Sequence, residues 1–277
     1  MAGPGMSWQG AVQLGFRLDK EKRTVPARIR HRGPFLVQRP FYPAGPDTCH
    51  SYLIHPPGGV AGGDELELDV EVDAGASALL TTPAAGKFYR APDKQQTVHQ
   101  KLRVAEKAQL EYLPMENICF AGARLQQDTR IHLADSASLV VWDVFCLGRP
   151  AAGEVFREGW LRQSLEIYRG ERLIFGERQA WEGGSPLLTE PVGLAGAPAG
   201  GTMIMALSRP PDAEAVRRLV PGLKDTEVAV TAFAGLIIVR VRGRHASRCR
   251  ETFSRIREGL PAGALNRRAG TPRIWAM

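Results

Sequence analysis

Cysteine is scarce and scattered in this chain: four residues, Cys49, Cys119, Cys146 and Cys249, among 277, with no Cys-x-x-Cys pair. That spacing offers neither a zinc ribbon nor a dithiol redox centre, and four reduced, mostly buried thiols are expected. A phosphate loop is missing. Gly86-Lys87 runs into Phe88 instead of Ser or Thr, and Thr81 stands where the loop's first glycine would be. A nucleotide phosphate would have neither its backbone cradle nor its metal-binding hydroxyl. Gly-x-Ser-x-Gly, His-Glu-x-x-His and Gly-x-Gly-x-x-Gly are absent as well, which disfavours the common hydrolases, zinc peptidases and dinucleotide-dependent dehydrogenases. Met1–Gly10 has no basic stretch followed by an apolar run, so no secretory leader is expected. No segment reaches the roughly 18 apolar residues of a membrane span; the longest, Leu139–Leu147, is broken by Asp143. A cytoplasmic protein with no membrane partner is expected.

What the chain does have is β pattern. Glu65–Val72 alternates four acids with Leu66, Leu68, Val70 and Val72, the signature of a strand with one wet and one buried face. Val98–Val104 and Leu125–Leu133 alternate less cleanly, and Leu139–Leu147 is apolar on both faces, as an interior strand is. Leu161–Ile167 and Arg172–Trp181 flank Arg169-Gly170 and predict a hairpin. A repeat is visible: Val72–Leu80, Val104–Tyr112 and Leu133–Val141 align with Ala76, Ala108 and Ala137 at equivalent positions, and Ile167–Arg178 reads as a degenerate further copy. A period near 30 residues predicts strand–turn–strand units that bury one another's faces. Pro211–Val220 and Ser247–Leu260 have helical spacing, the second with Ser247 as candidate N-cap. The expected fold is mainly β, built of stacked, repeated strand units, solenoid-like or layered, with about two helices in the C-terminal part. One β-rich domain is expected over residues 1–277, with a Gly/Pro-rich loop at 183–201 and a strand–helix segment at 202–277; strand pattern resumes at Met203.

The residues able to carry chemistry are few. Asp64 ends a cluster of Gly58, Gly59, Gly62 and Gly63, where it can cap the turn, line a polar cavity or ligate a cation. Asp143 interrupts an apolar strand, and Glu116, Asp128, Glu154 and Glu177 are further acids outside the alternating strand. A carboxylate in apolar surroundings must be paired, hydrogen-bonded or hydrated; the choice here lies between a water-filled, acid-lined interior and pairing with an arginine such as Arg149 or Arg178. Cys49, His50 and His55 are adjacent enough to suggest a weak metal group, but neighbouring strand residues face opposite ways. Net charge is +7, which invites acidic partners. The arginine-rich stretch Arg240–Arg257 has few aromatics, so a solvated or protein-docking face fits it better than nucleic acid.

Several ordered motifs make the chain resemble the urease accessory protein D family, UreD or UreH. They are Gly33–Pro43, His55–Gly59 with Gly62-Gly63-Asp64, Lys87-Phe88-Tyr89-Arg90, Leu113-Pro114-Met115-Glu116-Asn117, and Leu147-Gly148-Arg149-Pro150 with Gly153-Glu154. The likeness is strongest from Trp8 to Trp181. Met115, where the family usually has Gln, and Ala84-Ala85-Gly86 before Lys87 depart from it. The resemblance implies a non-enzymatic scaffold for urease maturation that binds apo-urease and an F-type accessory protein, and through the latter a G-type GTPase that delivers nickel. A dimer within that complex is a further expectation. The family fold is mostly β with an internal route for nickel. By analogy Asp64 and Glu177 line or gate that route, with Asp143 and Glu116 as weaker candidates. Gly58, Gly59, Gly62, Gly63, Lys87, Tyr89, Arg90 and Arg149 are then motif residues of structural importance. No tightly bound cofactor is implied, only transient Ni2+. From placement and analogy, helix Ser247–Leu260 and tail Asn266–Met277 suggest a docking site for the F-type partner. Two rival readings remain: a β-scaffold hydrolase using Asp64 and Glu177 as acid and base, and a basic nucleic-acid-binding module.

Overall fold

Alternation along a strand becomes rows of side chains once strands pair in register. In the computed structural model, which describes residues 7–43, 45–220, 222–261, 263–265 and 270–276, the strands are β1 (Gln9–Leu18), β2 (Thr24–Arg32), β3 (Leu36–Val37), β4 (Thr48–Ile54), β5 (Glu65–Val72), β6 (Ser77–Thr81), β7 (Gly86–Phe88), β8 (Gln96–Val104) and β9 (Gln109–Leu113). They continue as β10 (Asn117–Cys119), β11 (Arg124–Leu133), β12 (Ser138–Leu147), β13 (Trp160–Arg169), β14 (Arg172–Glu182), β15 (Ala199–Ala206), β16 (Thr226–Phe233) and β17 (Leu236–Gly243), with helices α1 (Ala213–Arg218) and α2 (Ala246–Glu258). The first sheet has the order β14-β13-β11-β8-β5-β1-β2. The second has the order β16-β17-β15-β12-β9-β6-β4-β3, with β7 and β10 joined to it through β12.

The repeat read from the sequence is a spatial register. Val72 pairs with Val104, and Val104 with Leu133, in parallel strands of the first sheet. Ser77 pairs with Gln109, and Gln109 with Ser138, in the second. Each unit crosses between the sheets through a turn closed by an alanine amide: Ala76 N–H to Asp73 O, Ala108 N–H to Ala105 O and Ala137 N–H to Ala134 O, at 3.0–3.1 Å. All three alanines are buried, so nothing larger fits where the turns stack. Only half of the fourth copy forms. β13 pairs in register with β11, but at Gly170 (φ 57°) the chain reverses and returns antiparallel as β14 in the same sheet. The reversal forms the expected hairpin and ends the stack. The second sheet is completed by antiparallel β15, β17 and β16.

The strand pattern after the Gly/Pro-rich loop resumes at Ala199, before Met203. α2 starts at Ala246 with His245 at its N-cap position, so Ser247 lies within the first turn. α1 is capped by Asp212, whose carboxylate accepts the Glu214 N–H at 3.3 Å. Among the described residues no helix is long and apolar enough to cross a membrane.

One apolar body fills the space between the sheets near the tight turns. Another lies between them near the long loops at the opposite end. A third covers the outer face of the second sheet, where Cys249, Phe253 and Ile256 of α2 meet Trp142, Val144, Met203 and Val239. The basic stretch containing α2 is therefore not simply a solvated face. Arg257 is buried, with its guanidinium on buried Glu111 of β9 at 2.5 and 3.2 Å, and Arg250 pairs with Glu116 at 3.1 Å. The segment 270–276 folds back on the body. Arg257 Nη1 donates to Gly270 O at 2.9 Å, Trp275 Nε1 donates to Thr81 Oγ1 at 2.9 Å, and the Trp275 ring lies 5.6 Å from Trp142. The rest of the tail singled out above, Asn266–Ala269 and Met277, lies outside the described residues.

Removing one member of the Glu111–Arg257 pair would take a direct, charge-assisted partner from the other buried group. Glu111→Ala should cost about 3–5 kcal/mol in urea unfolding, whereas Glu111→Leu combined with Arg257→Leu should recover most of the loss. A double variant as unstable as the single one would refute the pairing.

Candidate functional site

The strands that alternate imperfectly build the site. On the inward face of the first sheet, Gln127, Gln163 and Gln179 form one row across β11, β13 and β14. Gln100, Thr129, Leu165 and Glu177 form the next, across β8, β11, β13 and β14. Facing them from the second sheet are Tyr112, Asp143 and Thr202. A polar belt thus lies inside the sandwich, along with the two apolar bodies between the sheets. Most of its groups satisfy one another, as buried polar groups generally do. Gln100 Nε2 donates to the Tyr112 hydroxyl at 2.8 Å, Thr129 Oγ1 to Gln100 Oε1 at 2.9 Å, and Asn117 Nδ2 to Gln127 Oε1 at 3.2 Å. Gln127 Nε2 donates to Asp143 Oδ2.

Asp143 is the charged centre of the belt. Its Oδ1 is buried and accepts no hydrogen bond from the described residues. Burial raises its pKa from 3.8 to about 6; Gln127, Gln163 and Asn117 favour the charged form, and the nearby Glu177 carboxylate opposes it. Glu177 borders the same chamber and is held by Arg240, whose Nε and Nη2 donate to its Oε1 at 3.0 and 2.7 Å. Arg149 and Arg178, the partners suggested by the sequence, are elsewhere: Arg149 pairs with Glu154, and Arg178 lies 3.6 Å from Glu166.

Three cavities share walls through the belt. The central chamber, about 40 Å³, is lined by Gln100, Tyr112, Gln127, Asp143, Gln163 and Glu177 among others; that is room for a water molecule. A cavity of about 480 Å³ shares Gln100, Tyr112, Gln127 and Asp143 with it and extends to His55, Lys87 and Met115 in the long loops. On the other side a cavity of about 460 Å³ shares Gln179, Gly201 and Thr202 with the chamber and is lined further out by Glu227, Arg240 and Arg242.

The remaining sequence candidates are dispersed. Asp64 is buried, and its two oxygens accept the Trp8 and Ala61 amides, each at 2.8 Å. It caps the glycine turn and does not line the chamber that Glu177 borders, so the two carboxyls of the hydrolase reading do not meet there. Glu116 lies with Arg250 beside α2. Asp128 accepts from Ser164 at 2.5 Å and Gln126 at 2.9 Å, in a groove with His99, Lys101 and Arg130. Cys49 is buried; the His50 ring lies 5.7 Å from Phe41. His55 lines the 480 Å³ cavity, and burial holds its pKa below the usual value against the opposing pull of Asp64. The described residues contain no group of three or more His, Cys, Asp or Glu able to hold a metal ion. Burial raises the pKa of all four thiols, Cys146 to about 11 and Cys249 to about 12, which keeps them protonated and unreactive.

The motif residues converge on the long-loop end. Tyr89 donates to Gly58 O at 3.3 Å and packs edge-on against Phe120 at 5.2 Å, and the Arg149 guanidinium lies over Phe120 at 4.4 Å. At Gly59 a Cβ would fall 2.4 Å from the Tyr89 ring, so a larger residue there would displace that ring. Arg90 meets Glu158 at 3.2 Å. Lys87 borders the 480 Å³ cavity, and Gly62 and Gly63 pack beside Lys94. Sequence reasoning missed Gln100, Gln127, Thr129, Gln163 and Gln179. The available signal was a polar residue at an inward position of an otherwise apolar alternation.

Comparison with known proteins covers nearly the whole chain. The family described as UreD urease accessory protein matches residues 9–276. A urease accessory protein UreD of Azoarcus sp. (strain BH72) is 40% identical over 276 residues, covering 99% of this chain and 95% of that protein. Proteins of the same name are 39% identical over 274 residues in Dechloromonas aromatica (strain RCB), covering 97% and 94% of the two chains, and 37% identical over 270 residues in Nitrosococcus oceani, covering 98% and 90%.

Asp143 should leave a signature in stability. A carboxyl whose pKa is higher folded than unfolded binds more protons in the folded state between the two values, so its contribution falls as pH rises through that window. Relative to Asp143→Asn, wild type should lose stability between pH 3.8 and about 6. The total loss should be about 3 kcal/mol, constant above that window, as read by urea unfolding. Parallel pH curves for the two proteins would contradict this.

Proposed function

This chain belongs to the UreD urease accessory protein family, and we propose that it is a non-catalytic scaffold for urease maturation whose polar belt lets nickel pass through its interior. In this reading it works in the cytoplasm. It binds apo-urease together with an F-type accessory protein, through which a G-type GTPase is recruited, and GTP hydrolysis belongs to that GTPase. The observation that carries the proposal is Asp143, a carboxylate between two apolar bodies, surrounded by amides and hydroxyls and bordered by cavities on both sides.

The donor chemistry supports transit over storage. Nickel is a borderline cation that imidazole and thiolate ligands hold tightly, whereas carboxylate, amide and hydroxyl oxygens hold it loosely. A belt of glutamines, Thr129, Thr202 and Tyr112 with two carboxylates, Asp143 and Glu177, offers the second kind. Glu177 contributes by position: its pairing with Arg240 stands between the chamber and the outer cavity, and a passing divalent cation would compete with the guanidinium for the same oxygens. Asp64, with both oxygens on backbone amides, has the role of a turn cap in this account.

Nickel incorporation into apo-urease, with the accessory partners present, tests the reading. Glu177→Gln and Asp143→Asn should each leave the complex intact by size-exclusion chromatography while lowering the rate of activation about tenfold or more, on the order of 1.4 kcal/mol per decade. Full activation by a double variant in an intact complex would make these carboxylates incidental, leaving a scaffold alone.

A further inference from the structure

The chain's net charge is concentrated. Arg17 to Arg39 contains eight Lys and Arg and two acids, net +6 of the whole chain's +7. This segment includes β2, the terminal strand of the first sheet. The two halves of β2 differ. Near its start, Pro26 lacks an N–H, a register shift follows, and Thr24 is covered by the segment around Asp47, whose carbonyl accepts its hydroxyl at 2.8 Å. From Arg28 to Arg32 the strand is regular: Gly15 pairs with Arg28, Leu14 with Ile29, Gln13 with Arg30, Val12 with His31 and Ala11 with Arg32. Ile29 through Arg32 are all exposed, Ile29 by 40% although its β1 neighbour Leu14 is fully buried. The outward backbone groups of this half make no hydrogen bond with other described residues.

The three arginines differ too. Arg28 reaches across Gly15, which has no side chain in the way, to Glu71 of β5 at 2.5 Å. Asp69 and Glu71 are also taken by Arg103 at 2.9 and 2.7 Å. Arg30 and Arg32, on the same face as Arg28, form no ion pair with the described residues.

We propose that the Arg28–Arg32 edge of β2 is a docking site for an acidic, extended segment of a protein partner, which adds to the first sheet as a further strand. Main-chain hydrogen bonds to an open edge supply affinity without sequence, and alternate side chains supply selectivity. Arg30 and Arg32 are two residues apart on one face, a spacing of about 6.7 Å, which the acids of an acid–apolar–acid strand would match. The apolar residue between them faces the other way, towards exposed Ile29. The same sheet already contains this solution, since acidic β5 lies one strand away from β2 and is bound through its carboxylates by Arg28 and Arg103. A second copy of β2 is repelled, because like-charged edges resist pairing. Nucleic acid would use the charge but not the backbone edge or Ile29. The proposal does not depend on the nickel route.

Fluorescence anisotropy with the full-length chain and a labelled ten-residue peptide of alternating glutamate and valine tests it at low salt. Arg30→Glu with Arg32→Glu should weaken binding about tenfold or more, while Lys20→Glu with Lys22→Glu, the same charge change at the neighbouring turn, should weaken it by only about twofold. A peptide N-methylated at alternate residues on the edge that would pair should lose binding to wild type, which requires no altered protein. Equal loss in both charge variants, undiminished binding of peptides N-methylated at every glutamate and of peptides N-methylated at every valine, or tighter binding of a single-stranded oligonucleotide of equal charge would each overturn strand addition by an acidic protein segment.

Discussion

In-register parallel pairing of β5, β8, β11 and β13 is the interaction on which the rest of this structure depends. A parallel ladder holds equivalent residues of successive units side by side, so whatever occurs at one inward position is carried across the sheet as a row. Apolar rows, such as Val72, Val104 and Leu133, make core. The row Gln127, Gln163 and Gln179 makes the polar belt. Slipping one strand by a single residue would turn its glutamines outwards and its charged outer residues inwards. The small turns at Ala76, Ala108 and Ala137 hold that register, because their stacked amides and carbonyls bond from one unit to the next: Gln109 N–H to Ala76 O and Ser138 N–H to Ala108 O, both at 2.9 Å.

A belt of polar groups inside a sandwich costs stability unless every member finds a partner. Here the amides, the Tyr112 hydroxyl and Thr129 largely satisfy each other, and the least compensated group is Asp143. Its carboxyl is held near the boundary between neutral and charged by burial on one side and amide donors on the other. Such a group responds to a cation arriving beside it, and perturbed carboxyls of this kind collect at functional sites. The nickel-transit proposal rests on this balance rather than on any ready-made metal cage.

Ion pairs divide the labour among the remaining elements. Glu111 and Arg257, fully buried, tie α2 to the centre of the second sheet. Glu177 and Arg240 join β14 of the first sheet to β17 of the second at the edge where the chamber opens. Arg28 and Glu71 join β2 to β5 over Gly15, leaving the outer half of the β2 edge with its positive charge unspent. The long loops contribute through ring packing and glycine contacts, with Gly59 under Tyr89 and Arg149 over Phe120.

The sequence by itself determined the β class, the stacked repeat, the hairpin at Gly170 and the approximate helices, since period-2 alternation, recurrent small residues and turn chemistry are local properties. The family was legible for a similar reason: its motifs sit in contiguous loops, such as His55–Gly59 and Lys87–Arg90. It also marked Asp143 and Glu177 as acids needing an explanation. Only the tertiary structure decided that these two border one chamber while Asp64 caps a turn and Glu116 joins α2, because the partners of a buried carboxylate come from strands far apart in the chain: Gln127 for Asp143, Arg240 for Glu177, Arg250 for Glu116. The glutamine rows were hidden for the same reason. Each glutamine is an ordinary polar residue in its own strand, and becomes part of a site only when register sets it beside the others.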